Sequence, residues 1–336
     1  MRYNEFDSAE NLPPEWDRCA LSNPYLSRAS LRTLERTNPC SQRYVAFYDT
    51  EGNIDSLMVL YKLKLNVLTF SSLKWPLEVT IVGVPCSVSA PGYWTRQSTR
   101  LLFQEYLGAI KGLVVILNSG GGLSLPDWAQ GVTLPSCILP LSYDSFEDYL
   151  YSMRSHYRYR YRKALRKGSP LEVVKLEHNE CFGDDLYELY EQVHDNSAFK
   201  LEKLPRSFFQ QTDAEVHVFS ADGVPVGFVQ LRQHAVDMHF LFGGLDYSQS
   251  SRFDTYVNML LFIVRESIAR GCRLIDFGQT AEDAKAKLGC HLQPKSMYVH
   301  HANPLLNFAI RRVIHFFDYN TPDCDFRVFK EQGGQA

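Results

Sequence analysis

The sequence contains no Cys-x-x-Cys. Its eight cysteines (Cys19, Cys40, Cys86, Cys137, Cys181, Cys272, Cys290 and Cys324) are scattered, which excludes a disulfide framework and a zinc site and fits reduced thiols; no metal is assigned. A phosphate-cradling loop is also missing. The glycine-rich run "NSGGGLSL" (Asn118 to Leu125) lacks both the Gly-Lys-Ser/Thr of a P-loop and the G-x-G-x-x-G of a dinucleotide site, and reads as a connecting loop. No apolar run reaches the length of a membrane span, and "MRYNEFDSAENLPPEW" has acids and prolines where a secretory leader needs a basic start and an apolar stretch. The expected location is the cytoplasm. Positive charge is not in excess either: 35 Lys and Arg stand against 38 Asp and Glu, so whole-surface coating of nucleic acid is excluded and any polyanion contact must be local.

What the chain does have is bulk and one concentrated basic segment. Its 336 residues, 45% apolar and 13% aromatic, can bury a large core and point to two domains rather than one. The segment is "MRSHYRYRYRKALRKG", with seven Arg or Lys residues from Arg154 to Lys167 and no carboxylate. Ser145 and Asp148 make a capping-box pattern, and Gly168 with Pro170 supplies the stop, so a helix over 146–167, about six turns, is predicted. Leu150, Met153, Tyr157, Tyr161, Ala164 and Leu165 share an apolar arc, while Arg154, Arg158, Arg162 and Arg166 climb beside it at i, i+4 steps. Each like-charge step costs about 0.2–0.5 kcal/mol in an isolated helix, and no acid at the right spacing relieves it. Two readings follow: a solvated basic face answered by acids such as those of "FGDDLYELYEQVHD", or an anion site centred on Arg158 and Arg162 with Arg154.

One order of elements is predicted twice. "QRYVAFYDTEGNIDSLMVLYKLKL" is a hairpin turned at Glu51-Gly52, followed by the strand "LEVTIVGVPCS", the helix "STRLLFQEYLGAIKG" and the strand "LVVILNS". In the second half "AEVHVFSADGVPVGFVQLRQHAVDMHFLFGGL" gives three strands, a helix ends at Gly271, and "CRLIDFG" is a strand. The domains expected are 1–140, 141–320 and a tail 321–336, with "KEQGGQA" disordered. "LLNFAIRRVIHFFDY" is an amphipathic helix with Arg311, Arg312 and His315 away from its apolar side. That pattern invites a membrane-surface reading, but packing on the core accounts for it equally and is the commoner outcome.

A meander of three antiparallel strands, a helix and a further strand, used twice, resembles the GNAT acyltransferase fold in tandem, as in FemAB-like transferases. The likeness is strongest in "YRYRYRKALRKG" and in "GCRLIDFGQTAEDAKAKLGCHLQP" with its Lys287-Leu288-Gly289 ending, and it extends from about residue 140 to residue 317. It implies an α+β fold of two GNAT-like units, the first degenerate and the second catalytic. It also implies transfer of an activated acyl or aminoacyl group to an amine of a small-molecule or cell-wall-precursor acceptor, without a covalent intermediate or a tightly bound cofactor. The alternative is an anion- or precursor-binding module that has lost the chemistry.

Such chemistry needs a base within reach of the amine and donors at the oxyanion. The candidates are Asp276 as base or orienter, Lys287 for charge stabilisation and His239 as base, with Gly243, Gly244, Tyr256 and Gln279 lining the substrate site. Each also has a structural reading: a cap for Asp276, helix-dipole complement for Lys287, core histidine for His239, a tight turn for the glycines and packing for Tyr256. Coenzyme A enzymes of the resembled class share Arg/Gln-x-x-Gly-x-Gly/Ala, whereas this chain reads "DYSQSSRFDTY", without glycine. The donor is accordingly open between aminoacyl-tRNA, an acyl-coenzyme A and acyl carrier protein, and the oligomeric state is not readable.

Overall fold

The computed structural model describes residues 2–66, 76–86, 88–198 and 202–330. They fall into two compact units, one of Met1–Leu134 with Pro294–Asn320, the other of Pro135–Gln293 with the chain from Thr321 on. The first unit holds β1 (Arg2–Phe6), α1 (Trp16–Cys19), α2 (Arg28–Thr37), β2 (Arg43–Tyr48), β3 (Ile54–Asn66), β4 (Pro76–Val82), β5 (Tyr93–Thr95), α3 (Arg100–Ala109), β6 (Leu113–Ser119) and the start of β7 (Ala129–Pro140). The second holds α4 (Phe146–Ser152), α5 (Ser155–Lys167), β8 (Glu172–Lys175), α6 (Asp184–Asn196), α7 (Arg206–Gln211), β9 (Glu215–Ala221), β10 (Val224–His234), β11 (Asp237–Leu245), α8 (Tyr247–Phe253), α9 (Thr255–Ala269), β12 (Leu274–Asp276), α10 (Glu282–Ala286) and the start of β13 (His291–His301). The rest of β13 and α11 (Pro304–Val313) belong to the first unit.

In the first unit the strand order is β1-β2-β3-β4-β6-β13, with β5 on β3; β2, β3 and β4 are antiparallel and β6 runs parallel to β4. Phe103 and Leu107, one helical turn apart on α3, bury against Val45, Phe47, Met58 and Leu60, which lie two apart on their strands. Side chains of this kind contribute about 1.5–3 kcal/mol each when fully buried. In the second unit the order is β7-β12-β11-β10-β9-β8, again an antiparallel meander (β9, β10, β11) with a parallel neighbour, β12 on β11. The β9–β10 hairpin turns on Asp222 (φ 53°) and Gly223 (φ 78°), as a two-residue loop matched to strand twist requires. Met259, Leu260, Leu261, Ile263 and Val264 of α9 fill the core with Tyr149, Leu150 and Tyr161.

The α+β architecture and the repeated strand–helix–strand order are thus present, but four details depart from the sequence reading. The basic helix is not continuous over 146–167. Met153 is extended (φ −70°, ψ 151°) and bridges Phe329, so α4 ends at Ser152 and α5 starts after Arg154. Residues 294–320, expected in the second domain, lie in the first because β13 pairs with β6 from Ser296 to His301. The expected separate tail 321–336 belongs to the second unit as far as Lys330, with Val328 buried and Phe329 in the second core, while residues 331–336, on which the expectation of disorder falls, lie outside the described residues. The long strands β7 and β13 are not predicted from the sequence; the repeat places an inter-domain linker near Leu139 to Ser145, whereas β7 runs on to Pro140.

Gly289 shows how closely the second unit is packed. Its φ is +98°, and a Cβ there would lie 2.2 Å from the Phe329 ring. Gly271 also has a positive φ (+67°), with open space around the same position. Gly271→Ala should therefore lose only the backbone preference, about 1 kcal/mol, and Gly289→Ala about twice that or more, because overpacking adds to strain. Urea denaturation of both variants measures the difference; equal losses would show that Phe329 yields freely.

Candidate active site

The parallel register of β11 and β12 sets His239 directly opposite Asp276. The two side chains are half-buried, with His239 Nδ1 4.0 Å from Asp276 Oδ2. Burial lowers the His239 pKa from its ordinary value of 6.5, opposed by Asp276, so the imidazole is neutral near pH 7 and available to accept a proton. Asp276 Oδ1 also accepts the Gly278 N–H at 2.7 Å, which holds the carboxylate at the strand end as an Asx-type turn. The turn that follows is strained: Gly278, Thr280 and Ala281 have φ of 70°, 63° and 51°, and a β-branched residue rarely adopts that conformation.

This turn delivers the carbonyl of Gln279 to Lys285 Nζ at 2.8 Å. Lys285 is only 3% exposed and shares its buried surroundings with Glu282, Cys137 and Cys290, with Asp276 and Tyr256 at the edge of the group. Desolvation lowers its pKa. Burial likewise pushes the Cys137 thiol up to about 11 and Cys290 well above its usual range, so both stay protonated and neither is a nucleophile. Tyr256, half-buried at the head of α9, has its phenol pKa raised by the same burial. Among the described residues, no group of three or more His, Cys, Asp or Glu side chains gathers to hold a metal.

The cation of this cluster is Lys285, not the expected Lys287. Lys287 ion-pairs with Asp283 at 2.6 Å, one turn back on α10, and lies over the Phe326 ring. What the Lys287-Leu288-Gly289 ending supplies is backbone: Tyr161 of α5 donates to the Lys287 carbonyl at 2.5 Å and Tyr149 of α4 to the Leu288 carbonyl at 2.8 Å. The sequence signal for Lys285 was its helical spacing, three residues from both Glu282 and Leu288, which are buried, whereas Lys287 is four from exposed Asp283. Gly243 and Gly244 serve packing within the chain. A Cβ on Gly244 would meet the Phe228 ring at 2.3 Å and Leu189 at 2.7 Å, and one on Gly243 the Phe228 carbonyl at 3.1 Å. The β-bulge lies just before them, at Leu241 between the pairs Leu231–Phe240 and Gln230–Phe242.

The arginines divide by task. Arg154 caps the break between α4 and α5, its backbone N–H on the Val328 carbonyl and its Nε on that of Phe329. Arg158 donates to the Tyr151 and Met153 carbonyls at the end of α4, both at 3.2 Å, and stacks over Tyr151. Arg162 reaches Glu147 of α4 at 3.8 Å, with both side chains largely in solvent. The acid-rich α6 packs on β10 and β11 and does not answer them. Arg160, Arg162, Lys163 and Arg166 are exposed, so the open basic surface lies around Arg162 and Arg166 instead of Arg158.

Residues 152–286 match the sequence profile of the GNAT acetyltransferase domain. The FemAB-like resemblance then extends to the fold of the chain, which is similar to that of FemX (14% identity, TM-score 0.56, covering 93% of this chain and 100% of that one). It is similar also to the C-terminal domain of a candidate lysylphosphatidylglycerol synthetase from Agrobacterium fabrum (12%, TM-score 0.55, 89% and 95%). A conserved protein of unknown function from Bacteroides thetaiotaomicron has the same fold (11%, TM-score 0.53, 89% and 99%). No curated protein matches the chain by sequence.

The two central arginines should separate on stability. Arg158→Gln removes two charge-assisted bonds to helix-end carbonyls and should cost about 1–2 kcal/mol, while Arg162→Gln, an exposed pair, should change stability by less than about 0.5 kcal/mol. Melting curves of the single variants test this, and equal melting temperatures would show that the Arg158 contacts are not retained in solution.

Proposed function

We propose that the protein is an N-acyltransferase whose second unit moves an aminoacyl group from a charged tRNA to the amine of a small-molecule or cell-wall-precursor acceptor by direct attack. The observation that carries the proposal is the grouping at the β12 end: a neutral His239 facing Asp276, beside a buried Lys285 held by the Gln279 carbonyl. The acceptor nitrogen attacks the donor carbonyl, and the proton it loses passes to His239; Asp276 favours the imidazolium that results. The tetrahedral oxyanion collapses as the bond to the donor's ribose oxygen breaks, and that oxygen takes the proton back. Lys285 supplies an N–H donor beside the developing oxyanion, in surroundings dry enough for the interaction to count.

Two features support a charged tRNA as the donor. Where the glycine loop of coenzyme A enzymes would lie, the chain forms α8, and Asp254 stands at the head of α9, paired with Lys167 at 2.9 Å. A carboxylate at that helix start opposes a pyrophosphate. The exposed cations around Arg162 and Arg166 suit the phosphodiester backbone of a tRNA, which supports tRNA without discriminating against an acidic carrier protein.

A panel of charged tRNAs, acyl-coenzyme A species and acyl carrier protein, assayed with amine acceptors, is the direct test. Transfer from charged tRNA, with affinity falling steeply as salt rises, is expected. Saturable coenzyme A binding without any tRNA effect would sink the donor assignment. Asp276→Asn and Lys285→Met should each reduce turnover about 10²-fold per folded molecule, Lys285→Met also lowering the melting temperature because it strands the Gln279 carbonyl, whereas Lys287→Ala should stay within a few-fold of the parent.

The pH response has a definite sign. His239 binds its proton less readily folded than unfolded, so between its folded value and 6.5 the unfolded chain holds more protons and stability falls as pH drops. The rate should fall in the same acid region as the base becomes protonated. His239→Gln should flatten that limb of the stability profile and lower the rate at every pH; an unchanged acid limb of activity in this variant would remove His239 from the role of base.

A further inference from the structure

We infer that Pro304–Phe317 is a docking element for an anionic lipid surface. The segment was expected to pack on the core, and only Ile310 and Ile314 do so, against Ala129 and Val299. Six large apolar side chains face solvent: Leu305 (82% exposed), Phe316 (86%), Phe317 (69%), Phe308 (61%), Leu306 (50%) and Val313 (43%). Isolated exposed apolar residues are ordinary; a third or more of one 14-residue segment on its outer side is a patch (about 40% here).

The arrangement around the axis matches an element that lies in an interface. At about 100° per residue along α11, Leu305, Val313 and Leu306 fall in one outward arc of about 100° with Arg311 and Arg312 in the adjoining arc, and the 3-10 turn Ile314–Phe317 that follows adds the exposed Phe316 and Phe317. Arg312 stacks on Phe308, its guanidinium carbon 4.9 Å from the ring centre, so its stem lies along apolar surface while its head stays polar. Asn303 caps the helix by accepting the Leu305 and Leu306 N–H groups at 2.9 and 3.3 Å, so the element is already formed and docking need not supply the cost of folding it.

Charge selects the occupant. There is no acid from Pro304 to Phe317, and the two nearby carboxylates are engaged: Asp127 lies 3.9 Å from Arg311, and Asp318 accepts the Val132 N–H and pairs with His315. A second copy of this face would set Arg311 and Arg312 against their like, whereas anionic headgroups neutralise them while the acyl boundary takes up the phenyl and leucyl groups. No helix of the described residues is long and apolar enough to cross a membrane, so the contact is one of lying on the surface.

The test is cosedimentation of the full chain with phosphatidylcholine vesicles and with vesicles about one third phosphatidylglycerol. The parent should partition to the mixed vesicles and less to the neutral ones. Leu305→Ser/Phe316→Ser should weaken that partition about tenfold or more, and Arg311→Gln/Arg312→Gln should weaken it only on the anionic vesicles and reduce its salt dependence. Both double variants should melt like the parent, since the altered side chains face solvent. No partition to mixed vesicles, or equal partition by the Leu305/Phe316 variant, overturns the proposal. So does a concentration-dependent dimer in sedimentation velocity that this variant dissociates while vesicles bind nothing.

Discussion

Burying the Lys285 amino group is the constraint on which the second unit's site depends. An ammonium group out of water is tolerated only with polar partners, and the fold supplies them through distortion elsewhere. The turn after β12 accepts left-handed conformations at Thr280 and Ala281, which aims the Gln279 carbonyl at Nζ, and Glu282 is buried alongside. The exit of α10 is secured from outside by the Tyr161 and Tyr149 hydroxyls, and Gly289 lets the chain turn under Phe329. A turn held on several sides in this way has little freedom to relax.

The arginine-rich segment resolves its own conflict by breaking. A continuous helix would have stacked Arg154, Arg158, Arg162 and Arg166 in one ladder; the interruption at Met153 turns Arg154 and Arg158 toward carbonyls left open by the end of α4 and by the tail strand. Those carbonyls carry the partial negative charge that the sequence has no acid to provide. Only the later half of the segment remains a free basic surface. The tail, in turn, is ordered because Val328 and Phe329 find apolar neighbours and a backbone bridge at Met153.

Local patterns were a good guide wherever the deciding forces were local. Alternation marked the meander strands, Asp222-Gly223 and Gly271 marked their turns and stops, and Ser145 with Asp148 marked the start of α4. They failed where a partner distant in sequence decided the outcome. Met153 is extended because Phe329 bridges it, β13 is a strand because β6 offers its edge, and a Cβ at Gly243 or Gly244 is barred by Phe228, Met259 and Leu189.

By itself, then, the sequence determined the α+β element order and its repetition, because strand periodicity and turn chemistry are read from residues within a few positions of one another. Tertiary structure alone decided which of Lys285 and Lys287 is buried, which arginines stay free, and which side of α11 is left uncovered. Those outcomes depend on the face each helix presents to surfaces built by residues more than a hundred positions away, and spacing along the chain fixes a helical face without saying what it will meet.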